Sequence, residues 1–282
     1  MIPDQRFLEQ PKHFWANVRT IGQYVGYSKK GDVIVPSMDD ILKAYHKIDL
    51  STHHLVNANN TPTRFGRDLI QYFEYRAEVL NTYVEPRLMD AKKAKAEFNK
   101  LKRQLNPKCP LPMNKQRGEK KEHAFFTCII NMIVEANTNG LPCNFDPREL
   151  TTITQDGQPL RTLARRVDGA FPSVVNPISI WEIKEYYYTT TFGSRVAGGV
   201  YETLLDGMEL EELSEHEQIK IIHLLMIDAH FTWWNMGKPY LCRIIDMLHM
   251  GYVDEVLFGS EVTERLPEIV QGWVVAYHNQ HR

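Results

Sequence analysis

Asp168, Glu182 and Lys184 are the residues whose types and spacing best suit chemistry. They lie in the stretch 165–188, RRVDGAFPSVVNPISIWEIKEYYY, where an aspartate ends one β-like run and a Glu-x-Lys triplet sits inside the next. Two carboxylates on adjacent strands can share a divalent cation. A lysine two residues beyond the second carboxylate projects from the same strand face, within reach of a metal-bound water or a phosphate. Those are the parts that phosphodiester cleavage needs.

The triplet recurs in the chain, and context separates the copies. Glu119-Lys120-Lys121 and Asp90-Ala91-Lys92 fit the same spacing. Both lie in charged, helical-looking sequence, where positions i and i+2 do not share a face. Glu182 and Lys184 alone have β-rich flanks, Ile178, Ile180, Trp181, Ile183 and Tyr186 to Tyr188, together with an upstream aspartate.

The elements that must position these residues are legible as patterns. The first hundred residues predict helices over 12–25, 38–48, 63–83 and 85–105, broken by Gly31-Asp32, by the Asn-rich stretch 57–60 and by Pro86. Pro107, Pro110 and Pro112 then mark a linker. The expected organisation is a helical region over 1–106, serving DNA recognition or dimerisation, a linker over 107–116 and a core over 117–282.

Within that core, 119–136 has helical periodicity, with Phe126, Ile129, Ile130 and Ile133 on one stripe. Strands are predicted over 150–155, 160–170 and 178–188, the first two joined at the hairpin signal Asp156-Gly157. A helix from Ser194 to about residue 205, the apolar strand 219–228, a helix over 239–250, a strand over 253–258 and a helix over 266–278 follow. The fold class expected is α/β, with a mixed central sheet flanked by helices and a helical N-terminal region.

Composition narrows the setting. At 282 residues, 43% hydrophobic and 24% charged, the chain can bury a large core. No apolar run is long enough to cross a bilayer and no signal-peptide core opens the chain, so no membrane partner is expected. The four cysteines show no CxxC pairing, which predicts a reducing, cytoplasmic setting and no zinc site. GxxxxGK[ST] is absent, so ATP is not expected as a partner. The net charge of −2 hides an asymmetry: 92–121 carries eleven basic residues and two acidic ones, whereas 206–217 carries six acidic ones. Local basic density sets the attraction to phosphates.

Helix, three strands, helix, strand, with these motifs, resembles the PD-(D/E)xK nuclease superfamily over about 117–228. The residue before Asp168 is Val167 where the family often has proline. Arg117-Gly118-Glu119-Lys120-Lys121-Glu122 resembles the RGxxxE helix opening of archaeal-type Holliday-junction resolvases and some restriction enzymes.

The resemblance implies an αβββαβ, restriction-endonuclease-like core. It also implies Mg²⁺, with Mn²⁺ able to substitute, held by Asp168, Glu182, the carbonyl of Ile183 and Glu122. Lys184 would act on the attacking water. Arg117, Lys120, Lys121 and Arg195 are the candidate contacts to DNA phosphates. The function implied is that of a type II restriction enzyme, a sequence-specific endonuclease of double-stranded DNA. It would work as a homodimer, be encoded by a prokaryote or phage, and leave 5′-phosphate and 3′-hydroxyl ends. A structure-specific repair or recombination nuclease and a non-catalytic DNA-binding scaffold are the alternatives.

Overall fold

A five-stranded mixed sheet separates two apolar layers, and the alternation of its strands decides which layer each candidate residue meets. The computed structural model describes residues 1–116, 119–189 and 193–280. Near the N-terminus, helices α1 (Lys12–Val25), α2 (Met38–His46) and α3 (Arg64–Val79) pack around Phe14, Trp15, Ile21, Leu69 and Phe73. Side-chain caps fix their starts: Ser37 and Asp40 form a reciprocal capping box on α2, and Thr63 accepts from the Gly66 amide on α3.

Helix α4 (Ala91–Leu105) is capped by Asp90 and closed by Asn106 in the left-handed region at φ 45°. A hairpin of β1 (Met113–Gln116) and β2 (Glu119–His123) leads into α5 (Phe125–Asn137). The rest of the chain runs β3 (Asn144–Phe145), β4 (Thr152–Gln155), β5 (Gln158–Thr162), β6 (Gly169–Phe171), β7 (Ser179–Glu185), α6 (Ser194–Glu217), β8 (Ile222–Asp228), α7 (Lys238–His249), β9 (Glu255–Phe258) and α8 (Glu261–Gln280).

The sheet order is β9-β8-β7-β6-β3. Strands β7, β8 and β9 are mutually parallel, while β6 runs antiparallel to β7 and β3 antiparallel to β6. The parallel pairs need crossovers, which α6 and α7 supply. Strand β8 is almost wholly apolar, as burial on both faces requires. Its Leu224 and Met226 pack with α4, α5 and α8, and its Leu225 and Ile227 with α6 and α7. In β7 the same alternation sends Trp181 and Ile183 toward the first layer and Glu182 and Lys184 toward α6.

The main departures from the expected elements lie within 107–217; outside them, the helix expected over 85–105 is interrupted after Arg87 and resumes at Ala91. The helix predicted over 119–136 begins only at Phe125, because the charged residues ahead of it belong to the β1–β2 hairpin. The predicted linker therefore ends in strand β1. Strands expected over 150–155 and 160–170 form instead a separate two-stranded ribbon, β4–β5. Only Gly169 and Ala170 of the second join the main sheet, in β6, since the chain leaves the ladder at Leu163 and the Ala164 amide turns to Glu209. Finally, α6 runs to Glu217 rather than stopping near residue 205. Its acidic second half is paired: Glu212 with Arg161, and Glu211 and Glu215 with Lys12.

Helix α4 falls within the helical region expected over 1–106, yet Ala94 and Phe98 pack into one cluster with Phe125 and Ile129 of α5. Helix α3 is fastened to the core as well. Arg76 Nη1 lies 2.9 and 3.1 Å from the two carboxylate oxygens of Asp246 on α7, and Tyr72 donates to the same carboxylate.

Candidate active site

The site forms where β6 begins beside the C-terminal half of β7. Asp168 is the residue immediately before β6, and its amide donates to the Trp181 carbonyl at 3.1 Å. Its carboxylate Oδ2 then accepts the Ile183 amide at 2.7 Å. The side chain thus takes the hydrogen bond that one more residue of β6 would have made. In an extended strand the N–H and C=O of one residue leave on the same side. The Ile183 carbonyl therefore also faces the Asp168 edge.

Close approach at this edge depends on one glycine. A Cβ on Gly169 would meet the Trp181 indole at 2.0 Å, so the strand beside Asp168 has no room for a side chain. Trp181 cannot give way easily, because it is fully buried and stacked on Trp273 at 5.5 Å with the rings 10° apart.

Glu182 is wholly buried, with a cation beside each oxygen, hydrogen-bonded at Oε2 and ion-paired without a hydrogen bond at Oε1. Lys184 Nζ lies 2.7 Å from Oε2, and Arg165 Nη1 lies 2.9 Å from Oε1. Arg165 Nη1 also reaches Asp206 Oδ2 of α6 at 2.5 Å, and Asp206 is again fully buried. Glu202, one turn earlier on α6, lies 3.5 Å from Arg165 and 3.6 Å from Lys184. Helix α6 passes over the lysine at Gly199, where an added Cβ would meet Lys184 Cδ at 3.2 Å.

This charge arrangement moves Asp168, Asp206, Glu182 and Lys184 from their ordinary values. Burial and the Glu182 charge push Asp168 up to about 6. Burial and the same charge push Asp206 up to about 7. Burial works against ionised Glu182 too, but Lys184 and Arg165 outweigh it and hold that carboxyl below its ordinary value. Lys184 is likewise held above its ordinary value, because Glu182 and Asp168 outweigh its desolvation.

The structure therefore brings Asp168, Glu182, Ile183 and Lys184 together. Glu122 is placed elsewhere: it lies on strand β2 rather than on a helix, and its oxygens accept from Lys95 Nζ at 3.1 and 3.3 Å. Among the contacts of the described residues, none joins it to Asp168 or Glu182. Arg117 lies outside the described residues, as do the side chains of Lys120, Lys121 and Arg195. Tyr187 donates to Asp228, and Trp233 and Trp234 are buried, so these aromatics pack the core. The basic residues of α4, from Lys92 to Arg103, are exposed.

Arg165, Glu202 and Asp206 were not singled out by sequence reasoning, and neither was Glu185. The last accepts the Thr127 amide and hydroxyl, both at 3.0 Å, and so caps α5, whose own N-cap residue Ala124 cannot. A usable signal for Asp206 was its helical spacing with Thr203, Leu210 and Leu213, which all lie on the buried face of α6.

The donors at this site fit a hard divalent cation. Two carboxylates and a carbonyl are oxygen ligands, and magnesium keeps several waters beside such a set. Among the described residues no group of three or more His, Cys, Asp and Glu side chains is arranged to hold a metal ion, so the carbonyl and waters would complete the shell. No helix of the described residues is long and apolar enough to cross a membrane.

Comparison with known proteins adds a family and no chemistry. No curated protein and no solved structure matches the chain. Residues 1–83 match the family model described as Domain of unknown function (DUF7690). The junction between the two matched stretches, 84–88, falls just ahead of α4. Residues 89–273, from two residues ahead of α4 to within α8, match a second family model, and the chain belongs to that family, described as Domain of unknown function (DUF7687).

Proposed function

We propose that this chain is a metal-dependent endonuclease of double-stranded DNA, with Asp168, Glu182 and Lys184 as its catalytic residues. The observation that carries the reading is their convergence at the β6–β7 edge, with the Ile183 amide fixing Asp168 at 2.7 Å and Lys184 2.7 Å from Glu182. The order α5-β3-β6-β7-α6-β8, interrupted by the β4–β5 ribbon between β3 and β6 and with β3, β6 and β7 antiparallel in turn and β8 parallel to β7, supports a PD-(D/E)xK, restriction-endonuclease-like core. Asp168, Glu182 and the Ile183 carbonyl would hold Mg²⁺ or Mn²⁺, which lowers the charge barrier to attack on a phosphodiester. Lys184 orients the attacking water and offsets charge on the phosphorane-like transition state. The exposed basic face of α4 supplies the attraction to DNA.

Type II restriction of a specific site, by a homodimer in a prokaryotic or phage-infected cytoplasm, is the activity this reading favours. Glu122 lies on a hairpin strand and so lends no support to the junction-resolvase alternative. Incubating the purified protein with plasmid DNA and Mg²⁺ should give discrete fragments with 5′-phosphate and 3′-hydroxyl ends. Intact plasmid under all divalent ions would refute it.

One observation favours a second reading, a scaffold without chemistry. Both Glu182 oxygens already have cationic partners, as in a structural ion-pair cluster. Calorimetric titration of Mn²⁺ into wild type and Asp168→Ala separates the two, because a scaffold gives no difference between them.

A further inference from the structure

The Arg165 guanidinium sits among carboxylates in the manner of a bound cation. Its Nη1 alone touches Glu182 Oε1 at 2.9 Å and Asp206 Oδ2 at 2.5 Å, so one atom lies between two fully buried carboxylates from different elements. Among the described residues the second Asp206 oxygen is buried without a hydrogen-bond partner, and Glu182 Oε1 has the Arg165 ion pair but no hydrogen bond. Glu202 closes the group at 3.5 Å from Nη2. Asp168, Glu182, Glu202 and Asp206 against Arg165 and Lys184 leave a formal charge of −2, which one divalent ion neutralises.

We propose that Arg165 fills the position of a second metal ion, so that this site takes one divalent cation, bound on the Asp168 side of Glu182. The inference rests on the metal-site reading above and goes beyond it by fixing the stoichiometry and assigning Arg165 as the residue that sets it. Two-metal phosphodiesterases place their ions about 3.5–4 Å apart, bridged by a shared carboxylate. Glu182 is the shared carboxylate here: Lys184 meets its Oε2, while Arg165, which links it to Asp206, meets its Oε1. A guanidinium cannot be deprotonated near neutral pH, so the second positive charge is permanent and independent of metal supply. Arg165 acts through Glu182 and is a positioning residue.

Isothermal titration of Mn²⁺ into the full-length protein without DNA tests this. Wild type should bind one ion in a step that Asp168→Ala removes. Arg165→Met, which leaves Asp206 and Glu182 without their shared cation, should bind two, and Arg165→Lys should return to one. The Arg165→Met protein should also show a larger rise in melting temperature on passing from EDTA to Mn²⁺ than wild type does. Should Arg165→Met fail to fold, wild type still decides: its Mn²⁺ electron paramagnetic resonance spectrum should be that of an isolated ion, without the coupling of a close pair. Two Mn²⁺ ions in wild type, or a single ion in folded Arg165→Met, would overturn the assignment while leaving the metal-site reading intact. Absence of any Mn²⁺ uptake sensitive to Asp168→Ala would overturn both.

Discussion

Ile183 donates its backbone amide to Asp168 Oδ2 at 2.7 Å, so the first carboxylate of the site is oriented by the strand that carries the second. Among the described residues that amide is the hydrogen bond to the Asp168 carboxylate, with the charges of Lys184 and Arg165 near it. Because Glu182 and Lys184 flank Ile183 on that strand, one seven-residue element, β7, sets three of the four positions of the candidate site.

Binding and turnover should therefore separate by residue. Lys184→Ala removes the charge that acts on the attacking water and leaves Asp168 and the Ile183 carbonyl in place. Cleavage should fall by at least about 10²–10³-fold, the scale of losing one preorganised electrostatic contact, with DNA affinity in Ca²⁺ retained. Asp168→Ala should lose both metal uptake and cleavage. Gel-shift and plasmid-cleavage assays on the two variants read this directly, and Lys184→Ala cutting at the wild-type rate would remove the lysine from the mechanism.

Gly169→Ala should be among the most damaging single-methyl additions in the core. The new Cβ would lie 2.0 Å from the Trp181 ring, which is pinned against Trp273. Either the indole or the β6 backbone must move, and overpacking of this kind costs about 3 kcal/mol. Moving β6 also drags Asp168 off the Ile183 amide. Denaturant titration should show a lowered midpoint, and calorimetry a weakened metal step in whatever fraction folds.

Glu185 gives the metal-free protein a pH-dependent stability. Burial raises its carboxyl from 4.5 to about 7 in the folded state. A raised folded value means that the folded state holds the proton more tightly than the unfolded chain. Its contribution is complete below about pH 4.5 and is lost as pH rises through about 7. The displacement corresponds to at most about 3 kcal/mol. Asp168 and Asp206, raised to about 6 and about 7, act in the same direction. Melting temperature in EDTA should decline from pH 5 to pH 8, and Glu185→Gln should flatten the slope while keeping an acceptor for the α5 amides. A slope unchanged in Glu185→Gln would refute this account.

The parts of this site that were legible in sequence were those fixed by strand alternation. Glu182 and Lys184 share a face because they are two apart in a strand, and β-branched and aromatic flanks gave that strand away. Asp168 was legible as a carboxylate at a strand boundary, although its strand is only three residues long. Arg165 and Asp206 were not legible, because their meeting depends on the chain leaving the β5 ladder and on the register of α6 over β7, which are tertiary facts. Glu122 misled for a related reason. Its i, i+4, i+7 spacing with Phe126 and Ile129 is helical, but α5 starts three residues later, with its first amides capped from β7 by Glu185 rather than by a local side chain. A cap supplied from another element leaves no mark in the local sequence.

The α3–α7 clamp yields the last prediction, on how the stretch matched at 1–83 depends on the one matched at 89–273. Arg76 is fully buried; among the described residues its Nε and Nη2 have no hydrogen-bond partner and Asp246 balances its charge, while Tyr27, Tyr72 and Phe73 surround the guanidinium with aromatic faces 4.9–5.9 Å from its carbon. Removing one partner of such a pair strands a charge in an apolar setting and costs about 3–5 kcal/mol, whereas replacing both by apolar residues of similar volume is close to neutral. Asp246→Leu alone should therefore lower the unfolding midpoint sharply, and Arg76→Met with Asp246→Leu should recover most of the loss. Tyr72 tempers the recovery, because its hydroxyl donates to Asp246 and would be left unpaired, so adding Tyr72→Phe should complete it. Urea titration of the single, double and triple variants measures each step, and a double variant no more stable than Asp246→Leu would show that the pair is held for something other than charge balance.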